Sequence, residues 1–198
     1  MHWKRELARK AIHASTLLAP VLYLFLSRGR ALAVVVPIAA LCLAVDLARL
    51  AHRGFAGAFE RVFGPLLRPH ERRSLTGASY ALAGAALCIL LFHKPVALLA
   101  LLYLMLGDPA AALFGERFGR TWVRARKSLE GALACFLVCL AVALVAPLWP
   151  MWPDVPGVSV WTRVVGSLVA ALVELVPLGV DDNLSIPLLS GLAMQALA

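Results

Sequence analysis

Apolar runs long enough to cross a bilayer recur along this chain, and they fix its solvent before anything else does. They fall at roughly 11–27, 31–50, 74–92, 95–114, 130–149, 160–178 and 184–197, separated by short polar connections. A helix crossing the hydrocarbon needs about 20 mostly apolar residues. The pattern therefore predicts an all-α, polytopic transmembrane helix bundle of seven spans, with the last run short for a full crossing and six as the fallback count. With 15% charged residues in 198 and a mean hydropathy of +0.85, the chain has too little polar surface to meet water on every side. One integral membrane domain over 1–198 is expected, with no room for a separate soluble domain.

Lys4, Arg5, Arg9 and Lys10 precede the first apolar run, and Ala31-Leu32-Ala33 imitates a signal-peptide cleavage site. Arg28 and Arg30, directly before that tripeptide, argue against cleavage, so the N-terminal segment is expected to be retained.

Charge placement predicts orientation. In the seven-span arrangement fifteen Lys and Arg share one side: Lys4 to Lys10, Arg49 to Arg73, and Arg117 to Lys127. Only Arg28, Arg30, Lys94 and Arg163 fall on the other. The positive-inside rule then puts the N-terminus in the cytoplasm, and a prokaryotic inner membrane is the expected location. The net charge of +8 lies between apolar runs, where it meets the lipid bilayer and its headgroups; nucleic acid is not an expected partner.

The connections carry their own signals. Ser27-Arg28-Gly29-Arg30 and His93-Lys94-Pro95 read as tight hairpins, and Pro147 to Trp161 reads as an interfacial loop with Trp149, Trp152 and Trp161 at headgroup level. Between the second and third spans, Phe55, Phe59, Val62, Phe63 and Leu66 recur at helical spacing opposite Arg53, Glu60 and Arg61. That pattern predicts an amphipathic helix on the inner surface, within a cytoplasmic-side segment of about 50–73, ended or bent by Gly64-Pro65. Cys42, Cys88, Cys135 and Cys139 sit inside apolar runs without metal-ligand spacing and read as small core residues.

Five carboxylates, Asp46, Asp108, Glu174, Asp181 and Asp182, lie within or at the inner ends of apolar runs. A charge at the bilayer centre costs roughly 2.5–3.5 kcal/mol even on insertion scales, so each needs a partner or a cavity. Asp108, between Gly107 and Pro109, reads either as a functional carboxylate or as the cap of a broken helix. Gly107, Ala111, Gly115 and Gly119 recur every fourth residue, as in close helix packing, and no Gly-Lys-Ser/Thr makes a Walker loop. The basic loop that follows, Arg124-Ala125-Arg126-Lys127-Ser128-Leu129-Glu130-Gly131, suits a polyphosphate at a helix start and equally suits solvated topogenic charge. Asp181-Asp182-Asn183 with Glu174 offers hard oxygen donors for Mg²⁺ shared with phosphates, or simply a polar helix cap. Arg9 and His13 lie one helical turn apart.

Arg9-Lys10-x-x-His13, Gly107-Asp108-Pro109-Ala110-Ala111 with Gly115 and Gly119, Lys127-Ser128-x-Glu130-Gly131, and Asp181-Asp182-Asn183 with Ile186-Pro187 stand in an order that resembles the CTP-dependent membrane lipid kinases, among them dolichol, phytol and diacylglycerol kinases. The resemblance covers most of the chain, including Arg68-Pro69-His70-Glu71-Arg72-Arg73. It implies a nucleoside triphosphate, CTP, and a membrane lipid alcohol as substrates, with Mg²⁺ as cofactor. It further implies Asp108, Asp181, Asp182 and Glu174 as metal or catalytic carboxylates and Lys127 as a catalytic cation. Arg9, His13, Gly115, Gly119, Arg124, Arg126, Lys127, Ser128, Glu130, Gly131 and Asn183 are the expected nucleotide and phosphate contacts. The stretch around Asp108 and Lys127 is also similar to phosphatidate cytidylyltransferase, but that family's Asp-Arg-x-Asp ending is absent. A transporter is the third reading, and it finds few ionisable groups in the outer half beyond Asp154, Arg163 and His93.

Overall fold

Every backbone polar group must be satisfied internally where water is excluded, so apolar runs of this length fold as helices. A computed structural model of the protein describes residues 18–65, 67–124, 127–153, 158–176 and 178–198, without the side chains of His70 and Arg124. Helix α1 spans Leu18–Phe25, α2 Arg28–Ala51, α3 Arg53–Phe63 and α4 Gly77–Leu91. Helix α5, Lys94–Leu102, continues through a π-helical turn at Tyr103–Gly107 into α6, Asp108–Phe118. A two-stranded antiparallel hairpin follows, β1 Trp122–Arg124 and β2 Lys127–Ser128, pairing Trp122 with Ser128 and Arg124 with Lys127. Helices α7, Leu129–Val145, α8, Val160–Leu175, and α9, Asp182–Ala196, complete the chain.

Among the described residues each of the seven predicted apolar runs carries helix, and several of these helices are shorter than expected. Among the described residues three helices are long and apolar enough to cross a membrane, Arg28–Ala51, Lys94–Phe118 and Leu129–Leu148, and Gly77–Leu91 is a shorter apolar helix. The difference lies in where helices stop. Hydropathy runs on through Val176 and Leu178, whereas α8 ends at Leu175 and α9 begins only where Asp181 caps it.

The rod from Lys94 to Phe118 is the axis of the core. Pro95 through Leu101 are all buried, because α1, α4 and α9 pack around α5 while α7 packs against the π turn and α6. Helices α7, α8 and α9 pack in succession, and α2 leans on α4. Leu41, Leu133, Leu137, Leu172 and Leu192 face outward, the exposure expected where lipid is the solvent.

Two of the predicted hairpins are tighter than the sequence suggested. Arg28 and Lys94 do not sit in loops; each opens a helix. Their cations close the ends of neighbours instead: the Arg28 guanidinium donates to the Phe92 carbonyl, and Lys94 Nζ donates to the carbonyls of Leu24 and Leu26 at 3.0 Å each. Such carbonyls have no partner within their own helix. Pro95 falls in the first turn of α5, where a missing N–H costs nothing.

Helix α3 ends at Phe63, with the Gly64 N–H closing onto the Glu60 carbonyl at 2.9 Å, as Gly64-Pro65 predicted. It buries no residue within the protein, and Phe55, Val62 and Phe63 remain exposed. Phe59, on the same apolar face, stacks against Phe63 at 4.8 Å between ring centres and lies under the Arg49 guanidinium, 5.5 Å from its ring centre.

Asp46 and Arg49, only 2% and 4% exposed, are resolved by a dense set of bonds. Asp46 Oδ1 accepts from Arg49 Nε at 3.0 Å; Oδ2 accepts from the Thr76 N–H and from the hydroxyls of Thr76 and Ser79 at 2.7 to 2.8 Å. Arg49 donates onward to the carbonyls of Glu71 and Ser74 at 2.7 and 2.6 Å. Glu71, also buried, receives the N–H groups of Arg68 and Gly77 at 2.6 and 2.8 Å. The cost of burying these charges is thereby met, and the connection between α2 and α4 is pinned to the bundle.

Candidate functional site

Pro109 supplies no N–H to the helix and crowds the carbonyl four residues back. The rod answers by widening into its π turn just before Asp108, the kind of distortion often found at functional positions. Asp108 thus stands at a deliberate irregularity between two regular helices.

Three elements distant in sequence converge beside it. Lys127, at the start of β2, extends Nζ to Glu174 Oε1 on α8 and to Asp182 Oδ2 on α9, each at 2.8 Å. Asp108 and Asp182 both lie within electrostatic reach of Glu174. Burial pulls the pKa of the Lys127 ammonium down, but the bonds and charges of Asp182 and Glu174 outweigh it and hold the group above the ordinary lysine value. The cation is therefore fixed in its charged form. Glu174 is only 5% exposed, and its Oε2 has no hydrogen-bond partner among the described residues.

Asp181 has a different place. It caps α9, its Oδ1 accepting from the Asn183 N–H at 3.0 Å and from Asn183 Nδ2 at 2.7 Å. The capping role open in the sequence is the one its Oδ1 performs, while Asp182 next to it turns to Lys127.

Gly115, Gly119, Ser128 and Gly131 are brought together as a close contact between α6 and α7. Ser128 caps α7 by accepting from the Gly131 N–H at 3.1 Å. A Cβ on Gly131 would meet the Ala111 carbonyl oxygen at 2.7 Å, and one on Gly115 would lie 3.0 Å from Ser128 Oγ. These small residues set how closely Lys127 follows the end of α6. Glu130 accepts from the Thr121 N–H at 3.1 Å and so closes the hairpin.

A depression of about 420 Å³ beside the hairpin is lined by Arg117, Phe118, Gly119, Arg120 and Glu130. Sequence reading counted Arg117 and Arg120 only as topogenic charge; their spacing around Gly119 was the available signal. Arg9, His13 and Arg126 lie outside the described residues, as does the Arg124 side chain.

Among the described residues no three carboxylate, imidazole or thiol groups converge closely enough to hold a metal by themselves. The unpartnered Glu174 oxygen with Asp108 nearby instead fits a cation whose other ligands come from a phosphate chain.

No protein-family model matches the chain, and no solved structure matches it. Curated proteins do. CTP-dependent diacylglycerol kinase 1 of Saccharomyces cerevisiae is 32% identical over 171 residues, covering 77% of this chain and 59% of the yeast protein. Its counterpart in Schizosaccharomyces pombe is 25% identical over 202 residues, covering 94% of this chain and 91% of the relative. Dolichol kinase sec59 of Schizosaccharomyces pombe is 33% identical over 138 residues, covering 66% of this chain and 27% of that protein. The chain therefore spans well under the full length of two of these three relatives. Similarity over most of its own length makes it a homologue of the CTP-dependent membrane lipid kinases.

Proposed function

We propose that this protein transfers the γ-phosphoryl group of CTP to the hydroxyl of a membrane lipid alcohol, at the cytoplasmic end of the bundle. The observation that carries the reading is the convergence of Lys127, Glu174 and Asp182 beside Asp108, with one Glu174 oxygen unpartnered. The names of the relatives support CTP and a lipid acceptor.

Phosphoryl transfer needs mainly positioning and neutralisation of charge on the phosphate oxygens. An ammonium has three N–H donors. Two of those on Lys127 hold Glu174 and Asp182, and the third is the donor assigned here to a phosphate oxygen. Glu174 and Asp108 would hold Mg²⁺, which would supply neutralising charge for the phosphate oxygens. The lipid oxygen attacks the γ-phosphorus, the bond to CDP breaks, and the hydroxyl proton passes to a carboxylate, for which Asp108 is the candidate. Arg117 and Arg120 supply the positive surroundings through which the nucleotide enters.

The Lys and Arg skew supports a cytoplasmic N-terminus and site, and the exposed apolar side chains of α3 support its lying on the inner surface of the membrane. A hydroxyl at headgroup depth then reaches the site from the inner leaflet. Diacylglycerol, polyprenols and phytol all present such a hydroxyl on an apolar tail.

The test is purified protein in nanodiscs with CTP labelled at the α- or the γ-phosphate and a panel of these alcohols plus phosphatidate. Label from the γ-phosphate entering lipid is the expected result. Entry of α-label alone means a cytidylyltransferase, and no lipid labelling together with ion flux in liposomes means a transporter; either outcome overturns the proposal.

A further inference from the structure

The cluster of Asp46, Arg49 and Glu71 ends against the capping turn of α9. Arg49 holds the Glu71 carbonyl at 2.7 Å, and Glu71 Oε1 accepts the Gly77 N–H at 2.8 Å. A Cβ on Gly77 would lie 3.3 Å from that same oxygen and 3.0 Å from Asn183 Nδ2. The amide of Asn183 bonds in turn to Asp181 Oδ1 at 2.7 Å, and the next residue back along that turn, Asp182, holds Lys127. Two helical turns beyond Gly77 the contact repeats, since a Cβ on Gly84 would come within 2.9 Å of the Asn183 carbonyl oxygen. Asn183 is thus seated between two glycines of α4, with a buried carboxylate at one edge of its seat.

We infer that Glu71, Gly77 and Asn183 form a positioning device for the site: Glu71, held by Arg49, fixes the start of α4, and α4 fixes the turn from which Asp182 orients Lys127. None of the three touches the reacting atoms in this account, which rests on the proposed kinase reading for its functional consequence alone. The physical basis is the steepness of catalysis with position, where small displacements far from the chemistry are costly. Gly77 serves here by lacking a side chain; its methyl would force the Asn183 amide aside and strain its bond to Asp181.

The test is Gly77→Ala, Asn183→Ala and the double variant in the full chain, in nanodiscs. Gly77→Ala should lower kcat/KM for CTP about tenfold with little change in unfolding temperature. In the Asn183→Ala background the same change should cost less than about twofold, because the methyl no longer meets an amide. Hydrogen exchange of amides 182–185 should quicken in Gly77→Ala while amides of α7 stay as in the parent. Additive losses, or unchanged exchange at 182–185, overturn the inference. If the parent protein transfers no phosphoryl group at all, the kinase reading falls, and the exchange data still decide whether Gly77 and Asn183 are coupled.

Discussion

Lys127 and Glu174 are separated by 47 residues, yet Nζ and Oε1 stand 2.8 Å apart. The pair joins a β-hairpin to the end of a helix that packs beside it, with Asp182 completing the bridge from a third element. Removing the cation leaves a buried carboxylate without its charge partner. Lys127→Met should abolish lipid phosphorylation and cost about 1–3 kcal/mol in stability. Adding Glu174→Gln should recover part of that stability and none of the activity, as read by thermal unfolding and by labelled-CTP turnover.

The same pair sets a pH dependence. Because the folded state holds the Lys127 pKa above its ordinary value of 10.5, its stabilising contribution is complete below that value and is lost only as pH rises through the higher folded value. The difference in unfolding temperature between the parent and Lys127→Met should stay constant from about pH 8 to 10 and shrink above that range.

Asp108 follows the π turn rather than forming it, so an isosteric change should spare the fold. Asp108→Asn should reduce turnover by at least about a hundredfold, with an unchanged helical circular-dichroism spectrum. Retention of the parental rate would remove Asp108 from the mechanism.

Arg49 offers a contrast with its exposed neighbours. It satisfies Asp46 and two carbonyls at once, so Arg49→Met should destabilise the protein by about 3–5 kcal/mol. Arg72→Met, at an exposed position, should change stability by less than about 0.5 kcal/mol. Paired denaturation curves in detergent compare the two.

Gly131 is the narrowest point between α6 and α7. Gly131→Ala puts a methyl 2.7 Å from a backbone oxygen that has no easy retreat. A loss of about 1–3 kcal/mol is expected, larger than the roughly 1 kcal/mol for removing the neighbouring cap with Ser128→Ala.

Helix positions were legible because apolar runs and their breakers act locally. Gly64-Pro65 closes α3 and Pro95 opens α5, as written in the chain. Helix ends were less legible, since Arg28 and Lys94 read as loop charges until the carbonyls they satisfy are seen. Asp46 read as an expensive intramembrane charge, and nothing near it in sequence announces that Thr76 and Ser79 will meet it. Asp181 and Asp182, neighbours with the same side chain, were indistinguishable in one dimension; helix direction turns one to the cap and the other to Lys127.

By itself the sequence determined the solvent of this protein, its helical class and the list of charged residues that a membrane would have to accommodate, because hydropathy and positive charge are properties of single segments. Only the tertiary structure decided which of those charges meet. Ion pairs between separate helices depend on packing distances, and packing here is set by glycines whose missing side chains permit contacts that no local pattern encodes.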